Sequence, residues 1–174
     1  MSLAKAYAAH STTAPLVPFS FERRAVGAND VRVEILYSGI CHSDLHQARD
    51  DWGGAKYPMV PGHEIIGRVT EVGAEVTKLK VGDFAGVGCM VDSCRHCDAC
   101  SQDLEQYCAE GATFTYNGTD RQTGEPTQGG YSDHIVVEQR FVVKVSEKLD
   151  LKAAAPLLCA GITTYSPLKH FKVG

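Results

Sequence analysis

Hydrophobic and polar residues alternate along several short stretches of this chain, which is the pattern of half-buried β-strands. The clearest alternation is VRVEILY over 31–37, directly after the turn residues of 28–30. Further strands are predicted over 3–9, 16–22, 65–73, 84–87, 132–138 and 141–145. Gly67 stands inside the longest of these strands, where a glycine indicates a β-bulge or a close backbone approach.

Helical patterns are short and mostly late in the chain. Residues 149–155 predict a helical stretch that Pro156 interrupts, and an apolar face follows in a helix predicted over 157–170. A further helical turn is expected to start at Ser43-Asp44, because both residue types favour helix N-termini. Segments 50–58 and 111–130 are predicted as loops. We therefore expect a mostly β fold with short helices, in one domain spanning 1–174.

Composition and charge limit the classes of partner that this chain is expected to bind. Hydrophobic residues make up 44% and charged residues 22%, as in an ordinary globular domain. The net charge of -4 gives no electrostatic reason to bind nucleic acid or an anionic membrane. No apolar run is long enough for a bilayer, and the first residues lack the features of a secretory signal. With seven cysteines, an odd number, we expect reduced thiols and a cytoplasmic protein.

Four cysteines follow a C-x2-C-x2-C-x7-C spacing in a lobe predicted over 89–110: Cys94, Cys97, Cys100 and Cys108. Such thiolates converge on one ion and leave no open position, which predicts a structural zinc. An iron–sulfur cluster also uses four cysteines and remains the alternative. A zinc ribbon that binds nucleic acid is disfavoured, because acidic residues outnumber Arg95 around the cluster. His96, between two ligands, is expected to be a solvated loop residue.

A second group of reactive side chains lies in GICHSDLH over 39–46. A lone buried cysteine such as Cys41 usually only packs, but packing does not require four polar neighbours. His63-Glu64 adds an imidazole and a carboxylate, although such a pair also occurs as ordinary polar residues at a strand start. Cys159 is predicted at a helix start, where the helix N-terminus stabilises a thiolate. No complete G-x-G-x-x-G loop for a dinucleotide is found, since Val91 occupies the place of its last glycine.

Long ordered motifs identify what these groups resemble. They are 39–46, 61–67 with Gly73 and Val76, the four-cysteine run, 129–132 and 155–165. The chain resembles the zinc-containing medium-chain alcohol dehydrogenases, and closely their cinnamyl-alcohol-dehydrogenase-like group. This resemblance implies a GroES-like, partly open β-barrel with a zinc-binding lobe. In that family a Rossmann domain that binds NAD(P) follows; we expect it to be absent from this chain, which would then be inactive alone.

The resemblance also implies a catalytic zinc. Its ligands would be Cys41, His63 and Cys159, with an open fourth position that Glu64 occupies in a resting form. Asp44 would orient the His63 ring.

Further roles come from the same resemblance. Ser43 and His46 would be the first and last groups of a proton relay, with a helix cap and a surface residue as the alternatives. His42 would contact the cofactor pyrophosphate, and Thr163 the nicotinamide end. Two residues are candidates for the substrate pocket, with a loop position or simple packing as the alternatives: Trp52 and Cys89.

The predicted function is that of the catalytic domain of a zinc-dependent, NADP(H)-linked alcohol dehydrogenase or aldehyde reductase acting on primary alcohols and aldehydes. The preference for NADP is inherited from the subgroup, and a homodimer is expected for the full-length enzyme. The alternative is a zinc-stabilised binding or scaffold module without chemistry. Cys41, His63 and Cys159 separate the two hypotheses, because a scaffold has no use for an open metal site.

Overall fold

Nine short strands carry the fold in the computed structural model, which describes residues 1–173. In chain order they are β1 (Ser2–Ala8), β2 (Val17–Arg23), β3 (Asp30–Ser38), β4 (Ile65–Val72), β5 (Phe84–Val87), β6 (Met90–Asp92), β7 (Thr113–Phe114), β8 (His134–Glu138) and β9 (Val142–Val145). Five of them form an antiparallel sheet in the order β8-β3-β4-β5-β9. Its edges β8 and β9 do not pair with each other among the described residues, so the expected partly open, mostly β fold is confirmed.

The hydrophobic core lies on one face of this sheet. Alternate residues of β3 and β4 point into it, together with side chains from the other three strands and from one turn. The buried set is Val31, Val33, Ile65, Val69, Leu79, Ala85, Val87, Ile135, Val137 and Val142. Strand β1 pairs with β2 in a separate hairpin, and a smaller cluster around Ala8 and Val60 lies beneath it.

Gly67 allows β3 and β4 to approach each other. It pairs with Ile35 beside a register shift between Ile35 and Tyr37, and a Cβ at this position would overlap the carbonyl oxygen of Glu34. Both expectations for this glycine, the bulge and the close approach, are confirmed.

One loop prediction was wrong in part. Residues 111–130 contain β7, which pairs with β6 to form a small two-stranded sheet. A strand of two residues has no periodicity to detect, and its partner lies about twenty residues away. The rest of the segment is irregular, except for a bridge between Thr119 and Pro126.

Within residues 1–173, three α-helices connect and flank the sheets: α1 (His42–Ala48), α2 (Leu151–Ala154) and α3 (Ala160–His170). Helix α1 begins at His42 with Cys41 as its extended N-cap residue, two residues before the cap position predicted at Ser43. Helix α3 begins at Ala160, since Ala155–Leu158 forms a 3-10 turn around Pro156. None of the helices in residues 1–173 is long and apolar enough to cross a membrane. Gly174, the last residue of the predicted domain, lies outside the described residues.

Candidate metal centres

The carboxylate of Asp44 joins the two chain segments that carry the central site. Its Oδ2 accepts hydrogen bonds from the Cys41 backbone N–H at 2.9 Å and from the Tyr131 hydroxyl at 3.2 Å. Its Oδ1 accepts from the Gly62 N–H at 2.9 Å and lies 3.0 Å from His63 Nδ1. The start of α1 and the entrance to β4 are thereby tied to one buried side chain.

This hub fixes the orientation of the His63 ring. Because a carboxylate accepts hydrogen bonds, Nδ1 carries the proton, which leaves Nε2 to bind a metal ion. Burial alone would raise the pKa of Asp44, but the His63 ring and the two backbone N–H groups lower it below its ordinary value. Burial would likewise lower the pKa of His63, and the Asp44 carboxylate raises it instead. Both shifts follow from one buried hydrogen-bonded pair.

Four potential metal ligands meet at this point. The donor atoms of Cys41, His63, Glu64 and Cys159 lie within 4.8 Å of one another, and the two sulfurs are 3.9 Å apart. Glu64 fits here because residue 39 is a glycine: a Cβ on Gly39 would overlap the Glu64 carboxylate. The glycine therefore provides the space in which the Glu64 carboxylate lies beside the other ligands.

The pKa values of the Cys41 and Cys159 thiols are shifted in opposite directions. Burial alone would raise the pKa of Cys41, but hydrogen bonds from the backbone and side chain of Ser43 lower it. Burial raises the pKa of Cys159, and the sulfurs of Cys89 and Cys41 beside it raise it further. Cys159 is the N-cap residue of α3, as expected, but burial and the neighbouring sulfurs set the direction of its pKa shift, opposite to the one expected from a helix N-terminus. Two adjacent thiolates need a cation between them.

A cavity of about 310 Å³ opens beside His63. Trp52 lines it although 60% of this residue is exposed, so the pocket and loop interpretations of Trp52 both describe its position. The side-chain Nε2 of Gln47 is buried there without a hydrogen-bond partner among the described residues. The cavity is lined in part by Ser43, Gln47, Trp52, His63, Cys89 and Tyr116.

Of the predicted relay residues, Ser43 lines this cavity, and His46 lies further along α1. Ser43 Oγ is 3.6 Å from Cys41 Sγ, and His46 Nδ1 is 2.8 Å from a carboxylate oxygen of Asp51. The His46 ring centroid is 5.3 Å from that of Trp52 and 5.4 Å from that of His42.

The two predicted cofactor contacts, His42 and Thr163, are both exposed. Thr163 is tied to the site only through its backbone N–H, which donates to the Cys159 carbonyl at 3.0 Å. Within residues 1–173, neither side chain makes a hydrogen bond or an ion pair, so both cofactor contacts stay predictions.

The four-cysteine lobe forms a second, separate centre. The sulfurs of Cys94, Cys97, Cys100 and Cys108 lie within 4.8 Å of one another. Backbone N–H groups point at them: Cys94 N–H donates to Cys108 Sγ at 3.4 Å, and Ala109 N–H to Cys97 Sγ at 3.4 Å. The N–H groups of Ala109 and Cys100 lower the pKa of Cys97 to about 6. The N–H of Cys94 likewise lowers the pKa of Cys108. The N–H of His96 acts in the same direction on Cys94, but burial and the side chains of Cys108 and Cys97 outweigh it and raise the pKa of Cys94 to about 11. The backbone therefore favours the thiolate, the form that binds metal, at Cys97 and Cys108.

Comparison with known proteins identifies the family. The family described as "Alcohol dehydrogenase GroES-like domain" matches residues 27–147, which is more than half of the chain. The chain belongs to this family. The predicted resemblance and fold are therefore confirmed.

Relatives of this GroES-like domain are named as dehydrogenases. It is 59% identical to "NADP-dependent alcohol dehydrogenase C 1" of Mycolicibacterium smegmatis, over 100% of this chain and 50% of that protein. It is 56% identical to "8-hydroxygeraniol dehydrogenase" of Catharanthus roseus, over 95% of this chain and 45% of that protein. The chain spans about half the length of the curated relatives it matches.

Solved structures of cinnamyl alcohol dehydrogenases share the fold of this GroES-like domain closely. The enzyme from Sorghum bicolor matches with a TM-score of 0.96 and 50% identity, over 99% of this chain and 49% of that one. The enzyme from Helicobacter pylori, solved with NADP(H), matches with a TM-score of 0.95 and 49% identity, over 98% of this chain and 49% of that one. The predicted subgroup is thereby confirmed.

Sequence reasoning missed two residues of this GroES-like domain that contact the site. Tyr131 lies in the motif over 129–132 and has no predicted role at the site, yet its hydroxyl donates to the Asp44 carboxylate, 87 residues away in sequence. Gln47 follows His46 on α1 and was not singled out, because a polar residue in a short helix is unremarkable without knowledge of the cavity. Only the tertiary contacts reveal either role.

Proposed function

We propose that this chain is the catalytic domain of a zinc-dependent, NADP(H)-linked alcohol dehydrogenase or aldehyde reductase acting on primary alcohols and aldehydes. One observation carries the proposal. Donors from three distant segments, Cys41, His63 and Cys159, converge with Glu64 beside a cavity, and a buried carboxylate fixes the imidazole among them. A binding or scaffold module would have no use for this arrangement.

The donor set suits a catalytic zinc. Two thiolates and one imidazole neutralise the ion and leave a fourth position, for which Glu64 is the adjacent carboxylate. Zinc held there supplies a Lewis acid for an alcohol or carbonyl oxygen, and NADP(H) supplies the hydride chemistry. Asp44 keeps the His63 ring in one tautomer and orientation, and the Ser43 hydrogen bonds favour the Cys41 thiolate.

The chain's own residues also provide a route for a proton. Ser43 lines the cavity next to Cys41, and His46 lies one turn further along α1, half-exposed and bonded to Asp51. We propose that Ser43 exchanges a proton with the substrate oxygen and His46 with solvent. His42 and Thr163 are proposed to face the cofactor, and Trp52 and Cys89 the substrate.

The four-cysteine lobe over 89–110 is proposed to hold a structural zinc. Its closed four-sulfur set leaves no position for a substrate, and backbone N–H groups point at the sulfurs of Cys97 and Cys108. Zinc binding would then order the lobe, as in other small metal-bound folds.

The NADP(H) assignment is supported by the names of relatives rather than by residues of this chain. One relative is named as NADP-dependent, and one similar structure contains NADP(H). Because those proteins are twice as long as the match, we propose that turnover requires the equivalent of their other half. A cytoplasmic homodimer is the proposed form of the complete enzyme.

Metal analysis and a complementation assay test these proposals. The purified chain is expected to contain two zinc ions, one lost in Cys159→Ser and the other in Cys100→Ser. A fusion to the second half of the 59% identical relative should oxidise NADPH with aldehydes, and Cys159→Ser should abolish that activity. A single zinc that persists in Cys159→Ser, or a folded fusion without activity, would favour the scaffold module.

A further inference from the structure

A third group of metal-binding side chains lies on the outside of the four-cysteine lobe. Donor atoms of Cys94, His96 and Glu110 lie within 4.8 Å of one another, apart from the catalytic set. We propose that these residues bind an additional borderline transition-metal ion at the surface, which shares the Cys94 sulfur with the structural zinc. The inference goes beyond the proposed function, and the sharing of Cys94 rests on its structural zinc.

His96 is already oriented as a metal ligand. Its Nδ1 lies 2.7 Å from the carbonyl oxygen of Cys94, and because a carbonyl only accepts, Nδ1 carries the hydrogen. Metal-binding histidines typically donate their second ring N–H to a carbonyl or carboxylate in this way. The other nitrogen, Nε2, is thereby aimed away from the backbone and toward Glu110. The solvated loop residue expected from the sequence is therefore exposed but held at both nitrogens.

Glu110 supplies an oxygen at the same place. Its Oε1 is 3.0 Å from His96 Nε2, the distance of a hydrogen-bonded ion pair when the ring carries both protons, and a bound ion would take the place of the Nε2 proton between these two atoms. Its other oxygen, Oε2, accepts a hydrogen bond from Arg121 at 3.0 Å, and Arg121 also donates to the Glu110 carbonyl at 3.3 Å. One carboxylate oxygen is thus anchored, which leaves the other to bind the ion.

Electrostatics favours a second cation here. Four thiolates around one divalent zinc leave a net negative charge on the lobe, and a thiolate sulfur has lone pairs for two ions. The Asp98 carboxylate adds negative charge to the same lobe, whereas Asp92 is paired with Arg95 and Glu110 with Arg121. A cation approaching from solvent would partly neutralise it.

The exposure of the proposed ligands and the types of their donor atoms indicate which metal ions the site would bind. The side chain of His96 is 73% exposed and that of Glu110 is 50% exposed, so an ion reaches them directly from solvent. Sulfur, imidazole nitrogen and carboxylate oxygen together suit zinc, cobalt, nickel or copper, whereas magnesium and calcium prefer oxygen alone. The site is therefore a mixed-donor site for borderline divalent ions.

Cobalt is the probe of choice, because a thiolate bound to Co²⁺ gives a charge-transfer band and an imidazole–carboxylate pair does not. The resident zinc of the purified chain is measured first. Co²⁺ is then titrated by equilibrium dialysis and absorbance, while any zinc released is measured. The variants are His96→Gln and Glu110→Gln. The matched control is Asp103→Asn, which removes one charge from the same lobe and keeps a residue type that tolerates its left-handed backbone.

The expected result is one further cobalt ion per chain, with a thiolate charge-transfer band and without release of zinc. Its affinity should fall at least about tenfold in His96→Gln and in Glu110→Gln, and stay unchanged in Asp103→Asn. The site would be overturned if no further cobalt binds, if the bound cobalt gives no thiolate band, or if it only exchanges for resident zinc. Wild-type cobalt affinity in either His96→Gln or Glu110→Gln would also overturn it. A lobe without resident zinc would refute the structural zinc as well, a failure visible before cobalt is added.

Discussion

Asp44→Asn is the substitution that most directly tests how the central site is held. The change keeps the size of the side chain and replaces one acceptor oxygen by an NH₂ group. Each carboxylate oxygen of Asp44 accepts one backbone N–H, from Cys41 or from Gly62, and one further group. Whichever way the new amide is turned, its NH₂ faces a backbone N–H that has no lone pair to accept with.

The cost follows from the burial of this hub. Asp44 is only 2% exposed, so a displaced N–H finds no water in its place. Leaving one buried donor unpaired costs about 1–3 kcal/mol, and loss of the charged partner of His63 adds to this. We expect the free energy of unfolding to fall by about 2–4 kcal/mol. Zinc affinity of the catalytic site should fall about 10–100-fold, as for other partners that orient a metal-bound histidine.

Urea unfolding measures the first effect, and competition with a chromophoric chelator measures the second. Glu34→Gln is the control, because it removes the same charge at an exposed position of β3. If Asp44→Asn unfolds within about 0.5 kcal/mol of the wild type and keeps its zinc, the hydrogen-bond hub does not support the site as described.

Three further outcomes are expected. Removing metal with a strong chelator should lower the thermal midpoint markedly, because the proposed structural zinc would contribute on the order of 10 kcal/mol; a melting curve that does not move would contradict this. Gln47→Met should leave the free energy of unfolding unchanged or raise it by about 1–3 kcal/mol, since the buried Nε2 has no hydrogen-bond partner within residues 1–173. A clear loss of stability in urea would show that the amide is bonded. The pKa of Asp30 is lowered from 3.8, because burial is outweighed by its ion pair with Arg24. Its stabilisation is therefore full above about pH 4 and lost as the pH falls through the lower native value. The difference in the free energy of unfolding between the wild type and Asp30→Asn should therefore disappear as the pH falls below about 4. A difference that does not depend on pH would count against the ion pair.

Local features of this protein were accessible from its sequence. The alternation over 31–37 requires a half-buried strand, and β3 occupies that place. The spacing of Cys94, Cys97 and Cys100 brings their sulfurs together because a tight turn of a few residues has little freedom to separate them. Gly67 likewise marked a close approach that the backbone of β3 makes.

The tertiary structure decided what depends on distant segments. Cys41 and Cys159 are 118 residues apart in sequence, and their sulfurs meet at 3.9 Å only because the sheet and the turn before α3 are packed together. The same packing raises the pKa of Cys159, against the expectation from its helix, since burial beside other thiols outweighs a helix end. The contacts of Tyr131 and Gln47 with the site could not be predicted from the sequence for the same reason. The spacing of residues in sequence restricts the conformations of a short segment. Burial and contacts between remote residues arise only when the strands pair in the native register.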